Sequence, residues 1–180
     1  MGTNTILAIG AIVIFGTFLS SSNKLMIGNT QIAEQNEYYF TALSLAQSVI
    51  AEAKTKAFDQ KTVSTGVSVS DSLSATLGSD GSTELVPSPD TLMTSSPYTT
   101  IIPGFRSSFK FNDIDDYNGY KRKVNTPRAE GYTVSVTVAY ASSTYPDSTK
   151  FSQTFCKKMS VTVKSPFMPD SVAVSYAFVY

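Results

Sequence analysis

From Ile6 to Leu19 nearly every position is apolar, and no charged side chain precedes Lys24. As a helix, the 23 residues from Met1 to Asn23 would reach about 35 Å, enough to cross the hydrocarbon core of a bilayer. The pattern then changes without a proline break. Tyr39, Leu43, Ala46, Ile50, Ala53 and Ala57 recur at spacings of four and three residues, which places them on one helical face. Val49 and Phe58 widen that face, while Glu34, Gln35, Glu37, Glu52 and Lys56 fall largely outside it. The spacing predicts one N-terminal helix over residues 1–58, with 1–30 as a hydrophobic part and 31–58 as an amphipathic part. Some 80 Å of helix exceeds what a small domain can bury. The simpler alternative is an anchor, a linker and a short separate helix, with the break among Gly16 to Ser22.

After Asp59 the helical period is lost. Residues 60–100 are rich in Ser, Thr, Gly and Pro, with turn signals at Gly78-Ser79-Asp80-Gly81-Ser82 and Pro87-Ser88-Pro89-Asp90. Val63, Val67, Val69, Leu73 and Leu77 predict at most short strands there. Alternation returns further on. Phe105, Phe109 and Phe111 share a parity, Tyr132 to Tyr140 alternates strictly, Met159, Val161 and Val163 alternate next, and Val172, Val174, Tyr176, Phe178 and Tyr180 share one face. Asn118-Gly119, Tyr145-Pro146-Asp147 and Ser165-Pro166 read as turns. Alternation favours an antiparallel sheet with one covered face. The expected fold class is therefore α+β: a long N-terminal helix whose amphipathic half packs on a C-terminal antiparallel sheet, with 59–180 as a β-rich head.

Composition removes several function classes. The 180 residues contain no His and a single Cys, Cys156. That excludes His-dependent triads, imidazole metal sites, an intramolecular disulfide framework and iron–sulfur clusters. Lys plus Arg equals Asp plus Glu at 14 each, so the chain is not a polycation built to coat nucleic acid, and no nucleic-acid partner is expected. Ser21-Ser22-Asn23-Lys24 and Ser107-Ser108-Phe109-Lys110 match the S-x-x-K pattern of some serine hydrolases, but the companion elements are absent and so Ser-rich a chain produces such matches by chance. An enzyme is not expected. Lys121-Arg122-Lys123 and Lys157-Lys158 form small basic clusters, read as solvated strand or loop faces in preference to a DNA contact near Tyr117 and Tyr120.

The segment Ile6 to Leu19, followed by the stretch from Tyr38 to Lys54, resembles the N-terminal helix of the type IV pilin and type II secretion pseudopilin family. Phe111 to Tyr120 and the strand from Tyr132 are similar to heads of minor-pilin-like members. The sequence departs from the family in two places. Only Met1 precedes Gly2, where members carry a short basic leader cut after a Gly. The acidic residue usual at the fifth mature position corresponds here to Thr5 or Leu7. The resemblance implies a homo-oligomeric, extracellular helical filament at the cell surface. Its subunits would wait in the inner membrane and be polymerised by a pilus assembly machinery. The residues expected to form the filament core are Ile6, Leu7, Ile9, Ile12, Val13, Ile14, Phe15, Phe18 and Leu19. Ala8, Gly10, Ala11, Gly16 and Ser20 would let neighbouring helices approach closely. Those expected to pack helix on sheet are Tyr39, Leu43, Ala46, Ile50 and Ala53.

Asp113, Asp115, Asp116 and Asn118 are candidate calcium ligands, since carboxylates and an amide clustered on a loop suit an ion that takes six to eight oxygens. Pseudopilins resembling this chain often carry calcium in the head. The spacing does not fit an EF-hand, and the competing reading is a solvated turn into an Asn-Gly hairpin, with no cofactor. Three functions remain as expectations: a major filament subunit, a minor pilin or pseudopilin of a secretion machine, and a membrane-anchored protein whose β-head binds a ligand.

Overall fold

The computed structural model describes residues 2–92 and 104–180. The chain divides into two compact units, Met1–Tyr38 and Tyr39–Tyr180. Helix α1 is assigned to Gly2–Ala53 and supplies all of the described first unit. The glycines and serines at 16–22 do not interrupt it. Hydroxyls within it find partners on the helix itself: Thr17 Oγ1 donates to the Ile14 carbonyl at 2.8 Å and Thr30 Oγ1 to that of Met26 at 3.0 Å. Such back-bonding lets a polar side chain sit in apolar surroundings without an orphaned donor.

The second unit is α+β. Its sheet runs β1 (Asp90–Thr91), β2 (Lys121–Val124), β3 (Tyr132–Tyr140), β4 (Cys156–Lys164) and β5 (Val172–Val179), in chain order across the sheet. β2 to β5 pair antiparallel, as the alternation predicted. β1 is a two-residue strand parallel to β2, so the sheet is mixed. β3 and β4 are the centre, with Val134 opposite Val163, Val136 opposite Val161, Val138 opposite Met159 and Tyr140 opposite Lys157. All of these are buried, as are Ala42, Ala46, Val49, Ile50 and Ala53 on the part of α1 that belongs to this unit. Tyr39 and Leu43, also expected in the packing face, are half-buried. The small side chains at 42, 46 and 53 allow close packing of backbone on the core.

Four expectations are corrected. First, the helix stops at Ala53 and not at residue 58. Its last turn tightens, with Thr55 N–H donating to Glu52 and Lys56 N–H to Ala53 at 3.1 Å each. Ala57 then leaves the helical face and bridges extended to Asp113. Second, residues 60–77 hold no strand. Gln60–Thr62 and Ser70–Ser72 are single 3₁₀ turns, the first capped by Asp59, and of the five apolar residues there only Leu73 is buried. Third, the run at Phe105–Phe111 is not a strand. Ser107–Lys110 forms a one-turn helix, α2, which leaves Phe109 exposed and Phe111 buried. Fourth, β5 is an edge strand, and of its expected buried face only Phe178 is fully covered. The end of the Ser-, Thr-, Gly- and Pro-rich stretch, residues 93–100, lies outside the described residues.

Met159 is fully buried at the middle of β4. Met159→Ala should lower unfolding stability by about 2–5 kcal/mol, read as a shift in the urea midpoint of the full chain in detergent.

Candidate functional site

The first unit presents a surface that water does not tolerate. Ile6, Leu7, Ile9, Ile12, Val13, Ile14, Phe15 and Phe18 are 58–71% exposed, and Leu19 is 47% exposed. Leu25, Met26, Ile27 and Ile32 continue the exposed apolar surface. A helical surface that is apolar all round is a surface for lipid or for other helices. By length and composition this helix is able to cross a membrane. A side chain at Gly10 or Gly16 would meet nothing within 4 Å, so nothing in the chain itself requires a glycine there. Mid-helix glycine costs about 0.5–1 kcal/mol against alanine, and a helix backbone brought close from outside is what would offset it.

In the second unit the predicted site residues come together, but around protein partners. Asp113, Asp115, Asp116 and Asn118 lie on the loop and 3₁₀ turn at Asp113–Asn118, and the three aspartates are almost wholly buried. Asp116 Oδ2 accepts the backbone N–H groups of Asn112 at 2.9 Å and Asp113 at 3.3 Å. Asp113 Oδ1 accepts that of Asp116 at 3.2 Å. Asp115 Oδ1 accepts the Lys157 ammonium. The Asn118 amide spans two elements, donating to the Leu77 carbonyl at 3.1 Å and accepting Val138 N–H at 3.1 Å. Gly119, at φ +80°, follows with its N–H on the Val136 carbonyl. This is a buried strut and not a solvated turn. Among the described residues no three carboxylate, thiol or imidazole groups are arranged to hold a metal ion.

Lys157 is the residue that sequence reading misplaced most. The Lys157-Lys158 pair predicts a solvated face, yet Lys157 is fully buried. Its ammonium donates to Asp59 Oδ2 at 2.7 Å, to the Phe58 carbonyl at 2.9 Å and to Asp115 Oδ1. The rings of Phe58 and Tyr140 stand 4.6 and 5.1 Å from it. The signal was available: Lys157 shares the parity of Met159, Val161 and Val163. Arg122 is a second case. It is buried opposite Val134, donates to Ser48 Oγ at 2.6 Å, pairs with Glu52 at 3.4 Å, and lies over the Phe105 ring at 4.5 Å.

Glu52, placed off the packing face by its spacing, is a hub. Its Oε1 accepts Ser107 Oγ at 2.6 Å and Tyr117 O–H at 2.8 Å. Ser107 is thereby occupied, and Lys110 donates elsewhere, to the Leu85 carbonyl at 2.8 Å. The S-x-x-K pair at 107–110 does not form a nucleophile and base. Tyr117 and Tyr120 pack edge-to-face with Phe111 at 4.9–5.3 Å and are buried, so neither offers a stacking platform to a base.

Burial, and then the charge of Asp116, pushes the Asp113 carboxyl up to about 7. Burial pushes Asp116 to about 6, with Glu84 and Asp80 adding to it and backbone N–H donors opposing it. Asp59 goes the other way. Burial would raise it, but hydrogen bonds from Lys157 and from the Lys61 and Ser74 N–H groups, with the Lys157 charge, outweigh burial and hold it at about 2.

Raised folded-state values mean the native state holds protons that the unfolded state has lost, so Asp113 and Asp116 weaken the fold as pH rises from about 4 to about 7. Asp59 acts oppositely, its contribution being lost as pH falls from about 4 to about 2. Thermal unfolding followed by circular dichroism from pH 2 to 8 should therefore peak near pH 4–5, and Asp113→Asn should flatten the alkaline decline. Separately, Glu52→Ala leaves buried Arg122 without its counter-charge and should cost about 3 kcal/mol or more in urea titrations, whereas Glu52→Gln should cost clearly less.

Comparison with protein-family models, with curated proteins and with solved structures gave no match to this chain.

Proposed function

We propose that this chain is a structural subunit of an extracellular, pilus-like helical filament, polymerising through its hydrophobic N-terminal helix. The observation that carries the reading is the exposed, uncharged surface from Ile6 to Leu19 on a helix, in a chain that also holds a well-packed α+β unit. Burying nine large apolar side chains at about 1.5–3 kcal/mol each gives more than 10 kcal/mol, as much as the whole folding stability of an ordinary domain. That would hold an assembled subunit in the fibre against release into water; from a bilayer, where these side chains are already out of water, assembly would rest on helix-to-helix packing. Gly10 and Gly16 leave room for a neighbouring helix to approach closely. Before assembly the same segment would hold the subunit in the inner membrane, from which an assembly machinery would draw it. A minor pilin or pseudopilin would be built alike. A membrane-anchored β-head that binds a ligand is supported by the same apolar segment, and differs in having no polymer.

Cryo-electron microscopy of material sheared from producing cells distinguishes these readings. A major subunit gives uniform fibres whose density accepts this chain with residues 1–30 in the core. A minor subunit is nearly absent from them. An anchored binder stays in the membrane fraction as dispersed particles. Ile12→Asp or Phe15→Asp should abolish fibres and leave the head's circular dichroism unchanged; fibres that survive either charge would refute the bundled core.

A further inference from the structure

We infer that Lys157 and Asp115 are joined in the mature protein by an amide bond between Lys157 Nζ and Asp115 Cγ, formed without an enzyme and assisted by Asp59. The inference concerns the second unit alone and does not depend on the filament reading.

The geometry supplies each part that such a condensation needs. An amine and a carboxyl group, 42 residues apart in sequence, are in hydrogen-bond contact and fully buried. Holding two reactants together in this way is equivalent to a very high local concentration, about 10⁵–10⁸ M in well-oriented intramolecular reactions. That displaces the equilibrium towards an amide which free amine and acid in water do not reach. A second carboxylate, Asp59, lies 2.7 Å from the same nitrogen. The rings of Phe58 and Tyr140 stand about the nitrogen, and Lys157, Asp59 and Asp115 are all fully buried, so water is kept from the product.

The two aspartates are not equivalent, and the difference decides which one reacts. Asp59 has both oxygens committed: Oδ1 accepts the Lys61 N–H and Ser74 Oγ, and Oδ2 accepts Tyr140 O–H and Lys157. It is held ionised, at about 2, and a carboxylate is a poor electrophile. Asp115 has one oxygen on Lys157 and the other, Oδ2, without any partner. Burial pushes its carboxyl up to about 8, against the pull of Lys157 and with the charges of Asp113 and Asp59 adding to the rise. A protonated carboxyl with an untethered oxygen is the better electrophile and has a leaving group free to go.

The step balances. The start is a Lys157 ammonium, an ionised Asp59 and a protonated Asp115. Asp59 takes one proton from Nζ, and the freed electron pair forms the N–C bond to Asp115 Cγ. The C–Oδ2 bond breaks, and Oδ2 leaves as water with its own proton and a second proton from Nζ. The third proton stays on the amide nitrogen, and Asp59 is left protonated. No oxidant or co-reactant is consumed.

Such a bond would tie β4 to the 3₁₀ turn at Asp115–Tyr117, beside the loop where α1 has ended. Peptide mapping of the full chain by tandem mass spectrometry tests it. The expected result is a branched peptide joining the segments that contain Asp115 and Lys157, lighter than their sum by one water, about 18 Da, with trypsin passing over Lys157. Lys157→Arg keeps the charge but lacks the primary amine, and should remove the branch and lower the melting temperature. Asp59→Asn should leave the two segments mostly unjoined. Linear peptides of full mass from folded wild-type protein would overturn the inference without recourse to any variant. A water loss confined to one unbranched aspartyl peptide, as from a succinimide, would overturn it too.

Discussion

Asp59 is the point through which the second unit is held together. One carboxylate, wholly buried, receives Lys61 from the turn that follows the helix, Ser74 from the next loop, Tyr140 from β3 and Lys157 from β4. A buried charge is affordable only when paired and hydrogen-bonded on every side. The demand runs both ways, since Lys157 has no water to turn to. The loops around residues 57–77 carry little apolar surface of their own, and they are fixed by having to satisfy this pair. Glu52 does the same work nearby, binding Ser107, Tyr117 and Arg122 from three other elements. The head is thus organised by two acids as much as by its valines.

The parts of the fold legible in the sequence are those where one period dominates. The apolar helix, the face at Ala46, Ile50 and Ala53, and β3 with its strict alternation were all readable, because a single rule sets each. What was not readable depended on partners far along the chain. The end of α1 at Ala53 is decided by the bridge from Ala57 to Asp113, which no local pattern shows. Phe105 to Phe111 has the parity of a strand, but Asp90 accepts the Ser107 N–H and the Arg106 side chain, and the chain turns there. Charge alone places Lys157 and Arg122 at the surface, whereas the parity of Lys157 with Met159 and Val161 places it inside. Lysine and arginine are seldom buried unless paired, and here each is.

Three acids within four residues suggest a cation, and the side chain of Lys157 stands against one of them, Asp115. The remaining negative charge is relieved by protons held above their ordinary range and by backbone donors. The first unit shows the opposite economy, since it has no charge to satisfy before Lys24 and only hydrophobic surface to hide. One unit pairs its buried cations, Lys157 and Arg122, within itself, and the other has an apolar surface that only a neighbour or a bilayer can cover.

The sequential order of the strands carries a timetable. β2, β3, β4 and β5 are neighbours in the sheet and along the chain, so each hairpin can close as soon as it exists, at small entropic cost. The contacts that complete the head are of another kind: Asp59 meets Lys157 across 98 residues, and Glu52 meets Arg122 across 70. During synthesis the apolar face at Ala42 to Ala53 and the unpaired Asp59 emerge first and stand without partners until β4 is made. For that interval the nascent chain exposes a second greasy helical stretch next to the first. If residues 6–19 enter a bilayer, as the proposed function requires, the waiting segment would be kept near one surface and away from other unfinished copies. Such an insertion would then serve the folding of the second unit as well as the burial of the first.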